Sequence, residues 1–149
     1  RVDIICTAFR LLGEKYDSPE VRQIMAAIAY QESNFEHRHQ IGGPAHGFWQ
    51  FEQGGGVRGV MNFPTTKKAA QDVCSHFGIE FTSETVFAAI ENNDILAAAF
   101  ARLLLWTDPR PIPTDSTEAW DYYIRNWRPG KPHPNRWVDA WEKAIELWN

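Results

Sequence analysis

Apolar residues recur three and four positions apart along most of the chain, and no stretch alternates apolar and polar residues between turn signals. This period predicts helices rather than strands, so we expect an all-α fold. The longest apolar run, residues 95–106, is rich in alanine and is interrupted only by Arg102. Because it is apolar on nearly every face, we expect a helix at the centre of the core.

Turn and cap residues set the predicted ends of the helices. Ser18 as the N-cap residue, Pro19 at the first helical position and Glu20 in the first turn together predict the start of the second helix. Asn93 or Asp94 is expected to cap the central helix. The predicted helices cover residues 2–15, 19–35, 67–78, 83–91, 95–106, 115–127 and 137–148. The last of them is predicted to be amphipathic, with a packing stripe formed by Trp137, Trp141, Ile145 and Trp148.

One segment, residues 36–63, replaces the helical period with His, Gly, Pro, Gln and aromatic residues. It is too long and too rich in glycine for a plain linker, and we expect an ordered loop that carries function. Residues 54–59 match the G-x-G-x-x-G pattern, but no strand precedes them and Pro64 follows, which excludes a dinucleotide site. We interpret them as a turned loop at the rim of a cleft, with Arg58 free to contact an acidic peptide.

Length and charge restrict the class of protein. The 149 residues fit one domain, and a net charge of -4 argues against nucleic acid as a partner. No apolar run reaches the ~20 residues that a membrane-spanning helix needs. Cys6 and Cys74 are expected to be core thiols, although one disulfide bridge stays open. His37, His39 and His46 lie close together in the sequence, but with no nearby cysteine we expect solvated or hydrogen-bonded histidines and no metal site.

The most informative residue is Glu32. It follows Ile28 by four positions on the apolar stripe of the second helix, so its carboxyl is expected to face the core. It also lies near the end of that helix, where the helix dipole disfavours negative charge. Both effects raise the pKa of a carboxyl group, as a general acid requires. The alternative is a carboxylate at the rim of the stripe, paired with Arg38.

Two short motifs carry a resemblance to a known family. Residues 32–35 read Glu-Ser-Asn-Phe, and residues 43–50 read Gly-Pro-Ala-His-Gly-Phe-Trp-Gln. Soluble lytic transglycosylases and goose-type lysozymes have Glu-Ser-x-Phe at a helix end, followed by Gly-Ala-x-Gly-Leu-Met-Gln. The chain resembles this lysozyme-like family over residues 26–51. Pro44, Phe48 and Trp49 depart from the second motif, and Ile41 occupies a position where the family usually has serine.

The resemblance implies a lysozyme-like domain that degrades peptidoglycan with Glu32 as its acid and base, giving 1,6-anhydro products without a cofactor. The family's late Tyr-Asn-Ala-Gly element has its nearest counterpart in residues 122–130, so either Tyr123 or Asn126 is expected beside the acid. We expect a monomer acting on the bacterial cell wall, encoded by a bacteriophage. The residues expected to contact the sugar chain are Phe48, Trp49, Gln50, Glu52, Tyr123 and Asn126, with Phe51 and Trp127 as further aromatic walls.

Three other functions stay open from the sequence. A second carboxylate beside Glu32, with Glu52 favoured over Glu36, would make the protein a muramidase that hydrolyses the same bond. A cleft that binds glycan without cleaving it would suit a structural protein of a virion. The third is a DNA-associated protein, which would use a basic corner formed by Arg125, Arg128, Lys131 and Arg136.

Overall fold

A computed structural model describes all 149 residues, and it consists of helices joined by turns, without a strand. The predicted all-α class is therefore confirmed. The helices are α1 (Val2–Leu12), α2 (Pro19–Ser33), α3 (Arg58–Asn62), α4 (Lys67–His76), α5 (Ser83–Ile90), α6 (Asp94–Trp106), α7 (Ser116–Trp127) and α8 (Trp137–Trp148). Short 3-10 turns lie at Glu14–Tyr16 and Pro134–Arg136, and a π-helical turn lies at Gln53–Val57.

The predicted cap residues hold the helix starts. The Ser18 hydroxyl accepts a hydrogen bond from the backbone N–H of Val21 at 3.1 Å. The Asn93 side chain accepts one from the backbone N–H of Leu96 at 3.0 Å, so Asn93, and not Asp94, caps α6. These bonds satisfy backbone donors that have no partner within their own helix.

Helix α6 forms the centre of the core, as predicted. Residues 96–103 are all buried, and α1 packs directly against this helix. Arg102 is buried with them because its Nε donates a hydrogen bond to the backbone carbonyl of Tyr16 at 2.6 Å. Helix α2 packs mainly on α8. None of the helices combines the length and apolarity needed to cross a membrane.

The predicted loop over residues 36–63 is wrong in its last third, where residues 53–62 are helical. The helical turns form because Val57, Val60 and Met61 share one buried face. The run of glycines at residues 54–56 is compatible with these turns. At Gly56 the chain has no room for a side chain, because an added Cβ would lie 2.6 Å from the ring of Phe51. The close approach of that ring, rather than flexibility, therefore accounts for a glycine at this position.

The stripe predicted for the last helix is correct at Trp137 and Trp141, which are buried, and wrong at Ile145. The Ile145 side chain is 43% exposed, and Ala140 and Ala144 are buried instead. The residues three, four and seven positions after Trp137 share the face that packs against the protein. Ile145, eight positions after it, lies at the edge of that face.

Both cysteines are free thiols in this structure, so the disulfide left open by the sequence is not formed. Cys74 is buried as expected, whereas Cys6 is only partly buried. Burial raises the pKa of the Cys74 thiol to about 11, which keeps it protonated and unreactive at neutral pH.

Candidate active site

Glu32 lies in the last turn of α2, two residues before a sharp change in chain direction. Asn34 and Phe35 both have left-handed backbones, with φ of 55° and 51°, and they end the helix at Ser33 rather than at Phe35 as predicted. The Ser33 hydroxyl donates a 2.7 Å hydrogen bond to the carbonyl of Phe48. This bond fixes the helix end to the loop that carries the second motif, so the loop and the Glu32 carboxyl keep one relative position.

The carboxyl group of Glu32 accepts a hydrogen bond from the hydroxyl of Tyr123 on α7. The ring of Tyr123 is held in turn by Trp137, which stacks on it at 5.3 Å between ring centres. Arg38, the alternative partner weighed for Glu32, instead forms two 2.8 Å hydrogen bonds with Asp94. Glu32 therefore has a neutral donor as its partner, and no cation pairs with it.

The surroundings of Glu32 raise the pKa of its carboxyl from 4.5 to about 7. Burial is the largest cause, because it removes water from the charged form. The hydroxyl of Tyr123 opposes this effect by donating to the carboxylate, and the negative charge of Glu52 adds to it. Glu32 is only partly exposed, so its carboxyl is largely desolvated but not completely shielded from solvent. Near pH 7 such a group both donates and accepts a proton.

A cleft of about 450 Å³ lies between the loop that follows the second motif and the end of α7. Glu32 does not line this cleft, but Glu52 does, and its charge acts on the Glu32 carboxyl. Trp127 also lines it, and its ring lies 6.4 Å from the ring of Tyr123. The ring of Tyr123 thus lies next to one wall of a cavity that is large enough for sugar residues.

Of the residues predicted to contact sugar, Gln50, Glu52 and Asn126 line the cleft, together with Phe51 and Trp127. Gln50 has a left-handed backbone with φ of 52°, and its side-chain amide donates to the carbonyl of Gly47 at 2.9 Å. This contact stabilises the tight turn that brings Gln50 and Glu52 to the cleft.

Phe48 and Trp49 do not have the predicted role as cleft walls, because both are buried in the core. Trp49 is completely buried, and its indole N–H donates to the carbonyl of Met25 on α2 at 2.9 Å. Its own carbonyl accepts a 2.9 Å bond from the indole of Trp127. The two aromatic residues of the motif therefore anchor the loop to α2, and we remove them from the set of sugar contacts.

Tyr123, and not Asn126, lies beside the acid. The side-chain amide of Asn126 donates to Asp108 and to the carbonyl of Tyr122, both at 2.9 Å. Asp108 also accepts a bond from Arg125 at 2.9 Å, and this pairing neutralises part of the basic corner. Asp108 had no motif to mark it in the sequence; its only signal was its place in a proline-rich turn after the central helix.

Comparison of the chain with family models, with curated proteins and with solved structures found no match.

Gly47 fixes the course of the loop before the cleft. Its φ is +79°, and an added Cβ would lie 2.9 Å from Cγ2 of Ile90 and 3.1 Å from its carbonyl oxygen. We expect Gly47→Ala to lower the free energy of unfolding by about 2–3 kcal/mol, because a left-handed backbone and a tight contact both penalise the methyl group.

Urea unfolding followed by circular dichroism measures this loss. Gly54→Ala is the matched control, because Gly54 has no positive φ and no atom within 4 Å of its added Cβ. We expect that variant to stay within about 1 kcal/mol of the wild type. Equal urea midpoints for Gly47→Ala and Gly54→Ala would show that Gly47 does not constrain the loop.

Proposed function

We propose that this protein is a lysozyme-like peptidoglycan lytic transglycosylase, with Glu32 as its single acid and base. The observation that carries the proposal is the mostly buried Glu32 carboxyl, whose pKa is raised to about 7 and which accepts a hydrogen bond from Tyr123, a neighbour of the cleft residue Trp127. The bond cleaved is the β-1,4 link between N-acetylmuramic acid and N-acetylglucosamine. The site of action is the bacterial cell wall, and a phage origin remains part of the proposal.

The chemistry needs Glu32 in both protonation states. Protonated Glu32 first donates its proton to the glycosidic oxygen, so that the bond breaks and the leaving sugar departs as an alcohol. The N-acetyl group of muramic acid assists at the anomeric carbon. The Glu32 carboxylate then takes the proton of the 6-hydroxyl of the same sugar, whose oxygen closes the 1,6-anhydro ring. Glu32 regains its proton, no water is consumed, and a pKa near 7 suits both steps.

A second candidate is a muramidase that uses the same acid with water as the nucleophile. The supporting observation is the position of Glu52, which lines the cleft and whose charge raises the pKa of Glu32. A carboxylate placed there could activate water on the opposite face of the sugar ring. We favour the transglycosylase because Glu52 is exposed and forms no hydrogen bond that would orient it toward a water molecule.

Mass spectrometry of fragments released from purified peptidoglycan separates the candidates. We expect products one water lighter than hydrolysis fragments, released by the wild type and not by Glu32→Gln. Products with a reducing N-acetylmuramic acid end would favour the muramidase and a role for Glu52. Binding of glycan without release from any peptidoglycan chemotype would contradict catalysis and favour a binding protein of a virion.

A further inference from the structure

Three side chains outside the proposed catalytic site meet at the start of the second motif, and the catalytic proposal does not use them. His39 and His46 face each other across an antiparallel bridge, with ring centres 5.0 Å apart. Glu91, directly after α5, joins them, and the ligand atoms of all three lie within 4.8 Å of one another. The sequence, with no cysteine near the histidines, predicted solvated or hydrogen-bonded side chains, and Glu91 lies 45 or more positions further along the chain.

The ring of His46 is held in an orientation suited to a metal ligand. Its Nδ1 lies 2.9 Å from the carbonyl oxygen of Phe87, and since a carbonyl only accepts, Nδ1 carries the proton. The ring also stacks on Phe87, with 3.8 Å between ring centres and 5° between the planes. In the neutral ring the lone pair is then on Nε2. Histidine ligands in metal sites commonly donate their other N–H to a backbone carbonyl in this way.

His39 and Glu91 supply the other two ligands. The Nδ1–H of His39 donates to a carboxylate oxygen of Glu91 at 2.7 Å. Glu91 has no lysine or arginine partner, because the nearby Arg38 is paired with Asp94. A metal ion would replace the proton between His39 and Glu91, and the neutral His39 ring would carry its proton on Nε2 instead.

We propose that His39, His46 and Glu91 form a binding site for a divalent transition-metal ion, with Zn²⁺ as the representative ion. Two imidazoles and one carboxylate are ligands that suit Zn²⁺ better than Mg²⁺ or Ca²⁺. A tetrahedral ion with bonds of about 2.0–2.1 Å needs small rotations of His39 and Glu91, whose side chains are 55% and 31% exposed. Three protein ligands leave the fourth position for water.

The ion would tie the motif-bearing loop to α5. Residues 39 and 46 flank the turn that leads to Gly47 and Gln50, whereas Glu91 directly follows α5. The bound ion would therefore stabilise the fold by joining two segments that are distant in sequence. This site is independent of the chemistry at Glu32, and Glu32→Gln is expected to bind Zn²⁺ as the wild type does.

Competition with a chromophoric chelator, using Zn²⁺ alone and metal-free full-length protein, tests the proposal. We expect one equivalent to bind, and a rise in Tm of about 5 °C or more at a free Zn²⁺ concentration 100 times Kd. Loss of a residue that only hydrogen-bonds to a metal ligand typically weakens metal binding by roughly 10–100-fold. Because His39 and Glu91 are proposed as ligands themselves, we expect His39→Ala and Glu91→Gln each to weaken Zn²⁺ binding by more than that. Both replaced side chains are outside the core, and circular dichroism checks that each variant is folded.

His37→Ala is the matched control, because His37 is an exposed histidine of the same loop outside the cluster. It is expected to bind Zn²⁺ with wild-type affinity. Binding that is not saturated at one equivalent would overturn the proposal. Wild-type affinity in His39→Ala or Glu91→Gln, or an equal loss in His37→Ala, would also overturn it.

Discussion

Replacing Glu32 by glutamine is expected to reduce the release of peptidoglycan fragments by at least about 1,000-fold, because it removes the only group that both donates and accepts the transferred proton. The amide is close to the carboxyl in size and still accepts the hydrogen bond of Tyr123. The loss should therefore appear in kcat rather than in glycan binding. Quantitative chromatography of soluble fragments, with a binding assay on intact sacculi, measures the two separately.

Two carboxyl-to-amide controls define the specificity of this effect. Glu36→Gln removes an exposed carboxylate just beyond the end of α2 and is expected to leave activity unchanged. Glu52→Gln is expected to retain most activity in a transglycosylase, and to lose it in a muramidase that needs a second carboxylate. Fragment release by Glu32→Gln at the rate of Glu36→Gln would contradict the assignment of Glu32.

The stability of Glu32→Gln provides an independent check that the variant is folded. Below pH 4.5 the wild-type carboxyl is protonated in both folded and unfolded states. Between pH 4.5 and about 7 the unfolded state loses this proton first, so the wild type loses stability as the pH rises. The variant does not titrate, and at pH 8 its free energy of unfolding is expected to exceed that of the wild type by about 3 kcal/mol. The difference should disappear near pH 4.

The sequence was sufficient for features that depend on local signals. Ser18 and Asn93 cap helices through their own neighbours, and the all-round apolar pattern of residues 95–106 places α6 in the core. The orientation of Glu32 follows from its spacing to Ile28 on one helix. Each of these depends on residues within a few turns of one another, where helical geometry is fixed.

Features that depend on distant contacts were not predictable in the same way. Gly56 belongs to a helical turn in which the ring of Phe51 leaves no room for a side chain, although a run of glycines indicates a loop. Trp49 is part of a motif that suggests a cleft, but its indole N–H reaches Met25 and is buried. An aromatic side chain suits a core and a sugar-binding wall equally well, so its residue type cannot distinguish them.

Distant contacts also decide which polar side chain lies beside Glu32. Tyr123 and Asn126 are both polar and lie three positions apart, and the sequence alone left either one beside Glu32. Residues three positions apart share one face of a helix, so both lie on neighbouring parts of α7, where Asn126 meets Asp108 and Tyr123 meets Glu32. The choice between them required the position of α7 relative to the end of α2, which no local pattern encodes.

Replacing Tyr123 by phenylalanine is expected to shift the pH dependence of fragment release to higher pH. The hydroxyl of Tyr123 lowers the pKa of Glu32 by donating to its carboxylate, so its removal should raise that pKa above about 7. Glu32 must be protonated to start the reaction, and kcat/KM falls where the free enzyme loses this proton. The alkaline limb of the pH profile of kcat/KM should therefore shift to higher pH by about one pH unit. This is the shift expected when a carboxylate loses one hydrogen bond.

Tyr122→Phe is the matched control for this shift, because it removes the hydroxyl of the adjacent tyrosine without touching the acid. That hydroxyl donates to the carbonyl of Leu105 at 3.2 Å inside the core. A loss of packing or stability alone would lower the rate of either variant at every pH, without moving the limb. A role for Tyr123 in positioning and tuning Glu32 predicts a shifted limb in Tyr123→Phe only. An unshifted profile, or a shift to lower pH, would contradict that role, because removing a donor from a carboxylate raises its pKa.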